Sequence, residues 1–214
     1  MKIGVMGGTF DPIHYGHLNI AKAAYDEYGL DKIWFMTAGD PYFKQGSGVS
    51  SPEVRLEMTK LAVSAYPGMF ECSDMEVRAT GHTYSADTFA KLKTKYPSDE
   101  FFFIVGLDSL KSIDKWYKPE LLLKNVVLLC AMRSDDANGI TETTEVGELT
   151  AAEEIRRYLE EKYAASEPDI RFIHTPLIDI SSTMIRNKVR NGLSIDGYVP
   201  DSVANYISMH SLYI

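Results

Sequence analysis

The sequence predicts an α/β fold of the doubly wound, Rossmann-like type, with one parallel sheet that carries helices on both faces. Short runs of β-branched and aromatic residues alternate with longer segments of helical periodicity, which is the pattern of consecutive βαβ units. Two of these runs, 101–105 and 126–129, are continuously apolar, as strands buried on both faces are. A glycine pair, Gly7 and Gly8, separates the first run from a helical pattern. These observations favour a doubly wound sheet, in which a ligand binds at the carboxyl ends of the strands.

Strand-like runs recur along the chain at intervals that leave room for a helix. The predicted strands cover residues 2–6, 32–37, 69–77, 100–105, 125–131 and 170–174. Because parallel strands need crossover connections, a helix is expected in each interval.

Helix start and stop signals lie in those intervals. Gly29 is placed to end the helix that follows the first strand. Ser50 and Glu53 form a capping-box pattern with Pro52 in the first turn, which predicts that the next helix begins there.

We expect a single domain over residues 1–214, because no internal repeat or low-complexity linker divides the chain. The polar stretch 134–147 predicts a loop, and a capping-box pattern at Thr150 and Glu153 predicts the start of a helix, so that an acidic loop and helix occupy about 134–167. A C-terminal helical part is expected at about 181–214.

Charge is unevenly distributed along the sequence. The chain has 30 acidic and 22 basic residues, a formal net charge of −8, yet residues 135–167 alone hold ten acidic and three basic side chains. The remainder is nearly neutral, so a small anionic substrate is compatible with it. Acidic proteins are poorly suited to nucleic acids and anionic membranes, so neither is expected as a partner.

The cysteines and the apolar runs indicate a cytoplasmic protein. Cys72 and Cys130 lie in apolar stretches without CxxC spacing, which predicts neither a disulfide framework nor a zinc site. No apolar run has the length of a signal-peptide core or a membrane span.

The stretch 7–17, GGTFDPIHYGH, carries the strongest chemical signal. It connects a predicted strand to a predicted helix, where backbone N–H groups and the helix dipole favour a phosphate. Its glycine spacing differs from GxGxxG, and no Lys-Ser/Thr pair follows as in a Walker loop. His14 and His17 can both donate to one phosphate group. The alternative, a capping histidine beside a surface histidine, is less favoured next to the glycine pair and Thr9.

Together with the sequence ISSTMIR at 180–186, this stretch resembles the motifs of the HxGH nucleotidyltransferase superfamily. Within the superfamily the chain is similar to the bacterial nicotinate-nucleotide adenylyltransferases. Further similarity follows in family order at 33–35, 41–44, 81–88, 103–110, 116–117 and 206–207. The resemblance implies adenylyl transfer from ATP to nicotinate mononucleotide, giving deamido-NAD and pyrophosphate in NAD biosynthesis, with Mg²⁺ entering as Mg-ATP.

This chemistry fits what the sequence contains. The attacking phosphate is already ionised near pH 7, since its second pKa is about 6, so no general base is required. The site must instead hold two polyanions in line and stabilise charge on the transferring phosphorus.

The resemblance also implies which residues form the site. The catalytic residues are His14, His17, Lys44 and Arg186. The ATP-binding residues are Gly7, Gly8, Thr9, Phe10, His14, His17, Gly106, Asp108, Ile180, Ser181, Ser182, Thr183 and Arg186. The residues that bind nicotinate mononucleotide are Thr83, Tyr84, Trp116, Tyr117, Lys44 and Arg133. No residue is assigned as a protein ligand of a metal.

Some assignments keep an alternative. Asp108 could cap the helix that follows it, Arg186 could form a surface ion pair, and Trp116 could belong to the core. Tyr42 and Phe43 stand where the family usually has Pro-His, which leaves the contact of the following lysine open.

The alternatives for function are another HxGH enzyme, with nicotinamide mononucleotide or pantetheine phosphate as acceptor, or a non-catalytic nucleotide-binding regulator. The oligomeric state stays open, with a homo-oligomer among the options.

Overall fold

A six-stranded sheet forms the centre of the computed structural model, which describes residues 1–39, 48–134, 142–176 and 178–214. The strands are β1 (Lys2–Gly8), β2 (Lys32–Thr37), β3 (Phe70–Ser73), β4 (Glu100–Gly106), β5 (Val127–Ser134) and β6 (Asp169–Pro176). Their order is β3-β2-β1-β4-β5-β6, which is the strand order of the dinucleotide-binding α/β fold. The pairs β1 with β4, β4 with β5, β5 with β6 and β2 with β3 are all parallel. The predicted fold class is confirmed.

Helices occupy the intervals between these strands and the part of the chain that follows β6. They are α1 (Tyr15–Tyr28), α2 (Pro52–Val63), α3 (Ser85–Lys95), α4 (Leu107–Ser112), α5 (Pro119–Asn125), α6 (Glu142–Lys162), α7 (Ser182–Arg190) and α8 (Asp201–Met209). Short 3₁₀ turns lie at Ile113–Lys115 and Ala164–Ser166. Gly29 follows α1 with a φ of +56°, so the predicted helix stop is confirmed.

The predicted start of α2 with Pro52 in its first turn is confirmed, but its predicted cap and the second capping-box prediction are wrong. Ser51, not Ser50, caps α2, and its hydroxyl accepts from the Val54 N–H at 3.4 Å. Thr150 and Glu153 lie inside α6, which begins at Glu142, so part of the predicted loop 134–147 is helical. A capping box is a short-range pattern, and two following alanines favour continuation of a helix as strongly as its start.

Strand β3 is shorter than the predicted run 69–77. It ends at Ser73, and the next residues turn, with the Arg78 N–H donating to the Asp74 carbonyl at 2.9 Å. This hydrogen bond satisfies backbone groups within the turn instead of in the sheet, so the strand ends before it.

The described chain divides into two compact units. The first comprises Met1–Met6, Ile20–Asp31 and Tyr84–Leu177. Its core is built on β4 and β5, whose continuously apolar runs are buried as predicted. Helix α3 covers this core with Phe89, whose ring centroid lies 4.8 Å from that of Phe103.

The second unit comprises Gly7–Asn19, Lys32–Thr83 and Ile178–Ile214. Helices α2 and α8 pack on each other, and Met58, Val203 and Ile207 are buried. The Ser202 hydroxyl donates to the Leu61 carbonyl at 3.2 Å, which ties the start of α8 to the end of α2.

A buried arginine organises this second unit. Arg55 on α2 is only 1% exposed, and its guanidinium donates to the carbonyl oxygens of Thr9, Ala38, Gly39 and Ser50 at 2.7–2.9 Å. The guanidinium fork offers five donors, so one side chain can satisfy carbonyls from several chain segments. Its position on the inner face of α2 was not predicted.

The two cysteines lie in strands β3 and β5. Cys72 and Cys130 are both free thiols, and burial raises their pKa to about 11 and about 12. Among the described helices, none combines the length and apolarity that a bilayer span requires.

Candidate phosphate and nucleotide site

The loop after β1 holds the predicted glycines in a tightly packed turn. Gly7 and Gly8 end the strand, and a Cβ atom added to Gly8 would lie 2.6 Å from the Phe10 ring. Phe10 itself has a φ of +50°, a conformation that costs free energy for a bulky residue. Its ring is buried and packs edge-on against His17, with centroids 5.1 Å apart. Packing therefore holds this loop in a strained conformation.

The two predicted histidines lie together at the start of α1. Their rings stack with centroids 3.7 Å apart, and the His14 backbone N–H donates to Nδ1 of His17 at 3.3 Å. Since Nδ1 of His17 accepts this bond, a neutral His17 carries its hydrogen on Nε2. A Cβ atom on Gly16 would approach the His14 ring to 3.0 Å, so the small residue between the histidines leaves space for that ring.

His14 is neutral at physiological pH. The residue is 6% exposed, and burial lowers the pKa of its imidazole from 6.5 to about 4. Its buried Nδ1 has no hydrogen-bond partner among the described residues. Buried polar atoms in proteins are usually satisfied, so this nitrogen is a candidate contact for a bound group.

Side chains from outside the loop bind three of its carbonyl oxygens. Arg55 donates to the Thr9 carbonyl at 2.8 Å, Arg186 donates to the Asp11 carbonyl at 2.8 Å, and the Ser182 hydroxyl donates to the Pro12 carbonyl at 2.9 Å. These oxygens carry partial negative charge and would repel a phosphate. Their engagement leaves N–H groups and imidazoles as the loop's binding groups.

The N-terminus of α7 supplies further donors. The Ser181 hydroxyl caps the helix by accepting from the Met184 N–H at 3.2 Å. Thr183 Oγ1 accepts from Arg186 at 3.2 Å, and Ile180 lies just before the cap. The predicted serine and threonine hydroxyls thus hold the helix start, while the first N–H groups of α7 and the helix dipole can favour an anion. Arg186 uses two of its five N–H donors in these bonds.

The first unit carries Gly106 and Asp108 just after β4. Gly106 occupies the N-cap of α4, and Asp108 lies exposed in the first turn of that short helix. The N-cap residue is therefore Gly106, and Asp108 is the second residue of the helix.

Three predicted aromatic residues lie in the same unit. The rings of Tyr84 and Tyr117 pack with centroids 4.4 Å apart, and Tyr117 is 43% exposed. Trp116 is half-buried, its centroid lies 6.3 Å from that of Phe103, and its Nε1–H donates to the Ser112 hydroxyl at 3.3 Å. Trp116 is therefore not enclosed in the core, and the group has exposed ring surface.

The remaining predicted site residues are Thr83, Arg133 and Lys44. Thr83 belongs to the second unit, where its hydroxyl donates to Glu76 at 3.3 Å. The backbone of Arg133 pairs with that of Thr175 near the end of β5. Lys44, with Tyr42 and Phe43, lies outside the described residues, as does the side chain of Arg133.

The second unit thus brings together the loop 7–17 and the start of α7, and the first unit brings together Tyr84, Trp116 and Tyr117. Two residues that hold the loop were not predicted from the sequence: Arg55, and Tyr213, whose hydroxyl donates to Oδ1 of Asp11 at 2.7 Å. The first stands three residues before Met58 on the inner face of α2, which is a weak signal for a buried arginine. The second is the penultimate residue, where no sequence pattern indicated a role.

Comparison with known proteins defines the class. The model of the family described as cytidylyltransferase-like matches residues 5–188, and the chain belongs to this family. A relative from Lachnoclostridium phytofermentans, named "probable nicotinate-nucleotide adenylyltransferase", is 38% identical over all of this chain and 99% of its own length. A relative of the same name from Dehalococcoides mccartyi is 36% identical over all of this chain and 97% of its own length. The chain is thus a member of the nicotinate-nucleotide adenylyltransferase family.

A solved structure supports the fold. The nicotinic acid mononucleotide adenylyltransferase of Plasmodium falciparum, in a complex with NaAD, matches with a TM-score of 0.71. The match covers 99% of this chain and 97% of that one at 19% sequence identity. At this identity the likeness confirms the nucleotidyltransferase fold of the chain.

The lowered pKa of His14 predicts a pH-dependent stability. Between pH 6.5 and about 4 the unfolded chain binds a proton at this imidazole that the folded chain does not. This group therefore reduces the free energy of unfolding by about 3 kcal/mol as pH falls through that window. Replacing His14 with Asn removes this contribution. As pH falls from 7 to 4, wild type should therefore lose more of its free energy of unfolding than H14N, and the difference between the two proteins should narrow.

Denaturant titrations of both proteins at several pH values measure this gap. A gap that does not change with pH would show that His14 titrates alike in the folded and unfolded chains.

Proposed function

We propose that the chain transfers the adenylyl group of ATP to nicotinate mononucleotide, giving deamido-NAD and pyrophosphate in NAD biosynthesis. The observation that carries this proposal is the pair of stacked imidazoles of His14 and His17 at the start of α1, in the same unit as the capped N-terminus of α7. The names of the full-length relatives support the choice of substrates.

In the proposed reaction, a phosphate oxygen of nicotinate mononucleotide attacks the α-phosphorus of ATP. A new P–O bond forms, the bond to the bridging oxygen of the β-phosphate breaks, and pyrophosphate leaves with the electron pair. Because the attacking oxygen is already ionised, catalysis rests on positioning and charge stabilisation.

The residues of the second unit are assigned to the phosphates of ATP. His14 and His17 donate to oxygens on the transferring phosphorus, and a neutral His14 does so without a buried charge. The loop contributes further phosphate contacts from Gly7, Gly8, Thr9 and the backbone of Phe10. Arg186 and the first N–H groups of α7, at Ser182 and Thr183, face the β- and γ-phosphates, and Lys44 adds a cation.

Mg²⁺ enters with the nucleotide in this proposal. Among the described residues, no group of three or more His, Cys, Asp or Glu side chains is arranged to hold a metal ion. Asp11 accepts hydrogen bonds on both carboxylate oxygens, from Tyr213 and from the Ser50 N–H. The triphosphate oxygens are the hard ligands that Mg²⁺ prefers, and the ion supplies charge neutralisation there.

The aromatic residues of the first unit are assigned to the acceptor. Trp116 offers a half-buried ring for stacking the pyridine, and the Ser112 hydroxyl fixes its orientation. Tyr84 and Tyr117 line the same surface. Asp108 is assigned to ATP instead, where it bonds to a ribose hydroxyl. Thr83 and Arg133 complete the assignment, with Arg133 directed at the acceptor phosphate.

Acceptor selectivity tests the proposed reaction. The chain is incubated with Mg-ATP and one of three acceptors: nicotinate mononucleotide, nicotinamide mononucleotide or pantetheine phosphate. Pyrophosphate release is expected to be fastest with the nicotinate form. Preference for another acceptor would assign a different transferase, and ATP binding without turnover on any acceptor would indicate a regulator.

Loss of the His17 ring tests the catalytic assignment. His17→Ala removes a donor proposed to act on the transition state, so kcat should fall roughly 100-fold or more. His17→Gln keeps a side-chain N–H donor and should retain more activity. The matched control is H210A, because His210 lies exposed at the end of α8.

The rate of pyrophosphate release measures the effect of each substitution on catalysis, and thermal unfolding of each variant measures its effect on stability. Near-normal turnover in H17A would remove His17 from the mechanism.

A further inference from the structure

The carboxylate of Asp11 is a buried junction in the loop after β1. The residue is 3% exposed, and both carboxylate oxygens accept hydrogen bonds from outside the loop. The Tyr213 hydroxyl donates to Oδ1 at 2.7 Å, and the Ser50 N–H donates to Oδ2 at 3.2 Å. All three residues belong to the second unit.

Tyr213 lies beyond the end of α8 and is half-buried. After α8 the chain turns back, with the Leu212 N–H donating to the Ile207 carbonyl at 3.0 Å. Ser211 and Tyr213 both have positive φ values, of 48° and 67°, which are costly for these residues. Such a conformation persists only where other contacts compensate its cost. The bond to Asp11 and the contact of the Tyr213 hydroxyl with Met58 Sδ at 3.8 Å supply them.

The tyrosine stays a donor over the physiological range. Burial and the hydrogen bond to the Asp11 carboxylate raise the pKa of its phenol well above the usual value. Because the phenol keeps its proton, it can donate a hydrogen bond to the carboxylate, which an ionised phenolate could not.

Asp11 connects this contact to the residues assigned to the phosphates. Its own carbonyl oxygen accepts from Arg186 Nη1 at 2.8 Å. It also lies between Phe10, whose backbone is strained, and His14 at the start of α1. A strained loop keeps its conformation only when its surroundings over-determine it. A displacement of Asp11 would therefore shift both the arginine and the histidine.

We propose that Tyr213 is a positioning residue for adenylyl transfer, because its hydroxyl fixes Asp11 and thereby the placement of Arg186 and His14. This proposal rests on the proposed function for its kinetic consequence. Tyr213 does not itself touch the substrates in this account. It acts through the loop, so its loss should lower kcat more than it changes KM.

The substitution Tyr213→Phe removes the hydroxyl and keeps the ring. The matched control is Y206F, a tyrosine of α8 that stacks on His210. We expect kcat of Y213F to fall about 10-fold or more, since small misplacements of reacting groups carry large rate costs. KM values should stay within about twofold, because ground-state contacts with the substrates are retained. Y206F should match wild type in both parameters.

A double-mutant cycle with Asp11→Asn tests the route of the effect. If Tyr213 acts through Asp11, the double variant D11N/Y213F should be no slower than D11N alone. Multiplicative effects would overturn the proposal, as would an unchanged kcat in Y213F.

Amide hydrogen exchange gives a readout that does not need turnover. Y213F should exchange faster than wild type and Y206F in the segment 9–17, while amides of β4 and β5 keep their protection. Unchanged exchange in 9–17 would overturn the positioning role. Absence of turnover in the wild type, by contrast, would contradict only the proposed function.

Discussion

Hydrogen bonds to the carbonyl oxygens of the loop after β1 are the interactions on which the proposed site depends. A loop that binds phosphate must turn its carbonyls elsewhere, because their partial charge repels the anion. Here Arg55, Arg186 and Ser182 each satisfy one of those carbonyls from outside the loop. The strained backbone at Phe10 is retained because these bonds and the packing of its ring oppose relaxation.

The charge balance of the site follows from burial. A buried imidazole with a pKa of about 4 is neutral near pH 7 and can still donate a hydrogen bond. His14 therefore lies in the protein interior without the free-energy cost of burying a charge. Positive charge is supplied instead by Arg186, by the dipole at the start of α7 and, in the proposed reaction, by Mg²⁺ bound to ATP. In the proposed site the chain's net charge of −8 does not oppose nucleotide binding, because local donors would determine the potential where the phosphates bind.

Sequence analysis predicted the fold class, the strand at Lys32–Thr37 and the loop of the paired histidines, since periodicity and local motifs determine these features. It failed where distant contacts decide the structure. Ser50 matches a capping box, but its N–H binds Asp11, which lies 39 residues earlier. Arg55 and Tyr213 have no local signal, because their partners lie on other chain segments. The site assignments themselves stay predictions that rest on the family motifs.

The most direct test is a crystal structure of this chain with nicotinate mononucleotide and a non-hydrolysable ATP analogue. The account predicts that ring nitrogens of His14 and His17 lie within hydrogen-bond distance of phosphate oxygens, with further phosphate oxygens at the first N–H groups of α7. Arg186 should keep its bond to the Asp11 carbonyl. Phosphates bound away from both histidines, or an Arg186 released from Asp11, would contradict it.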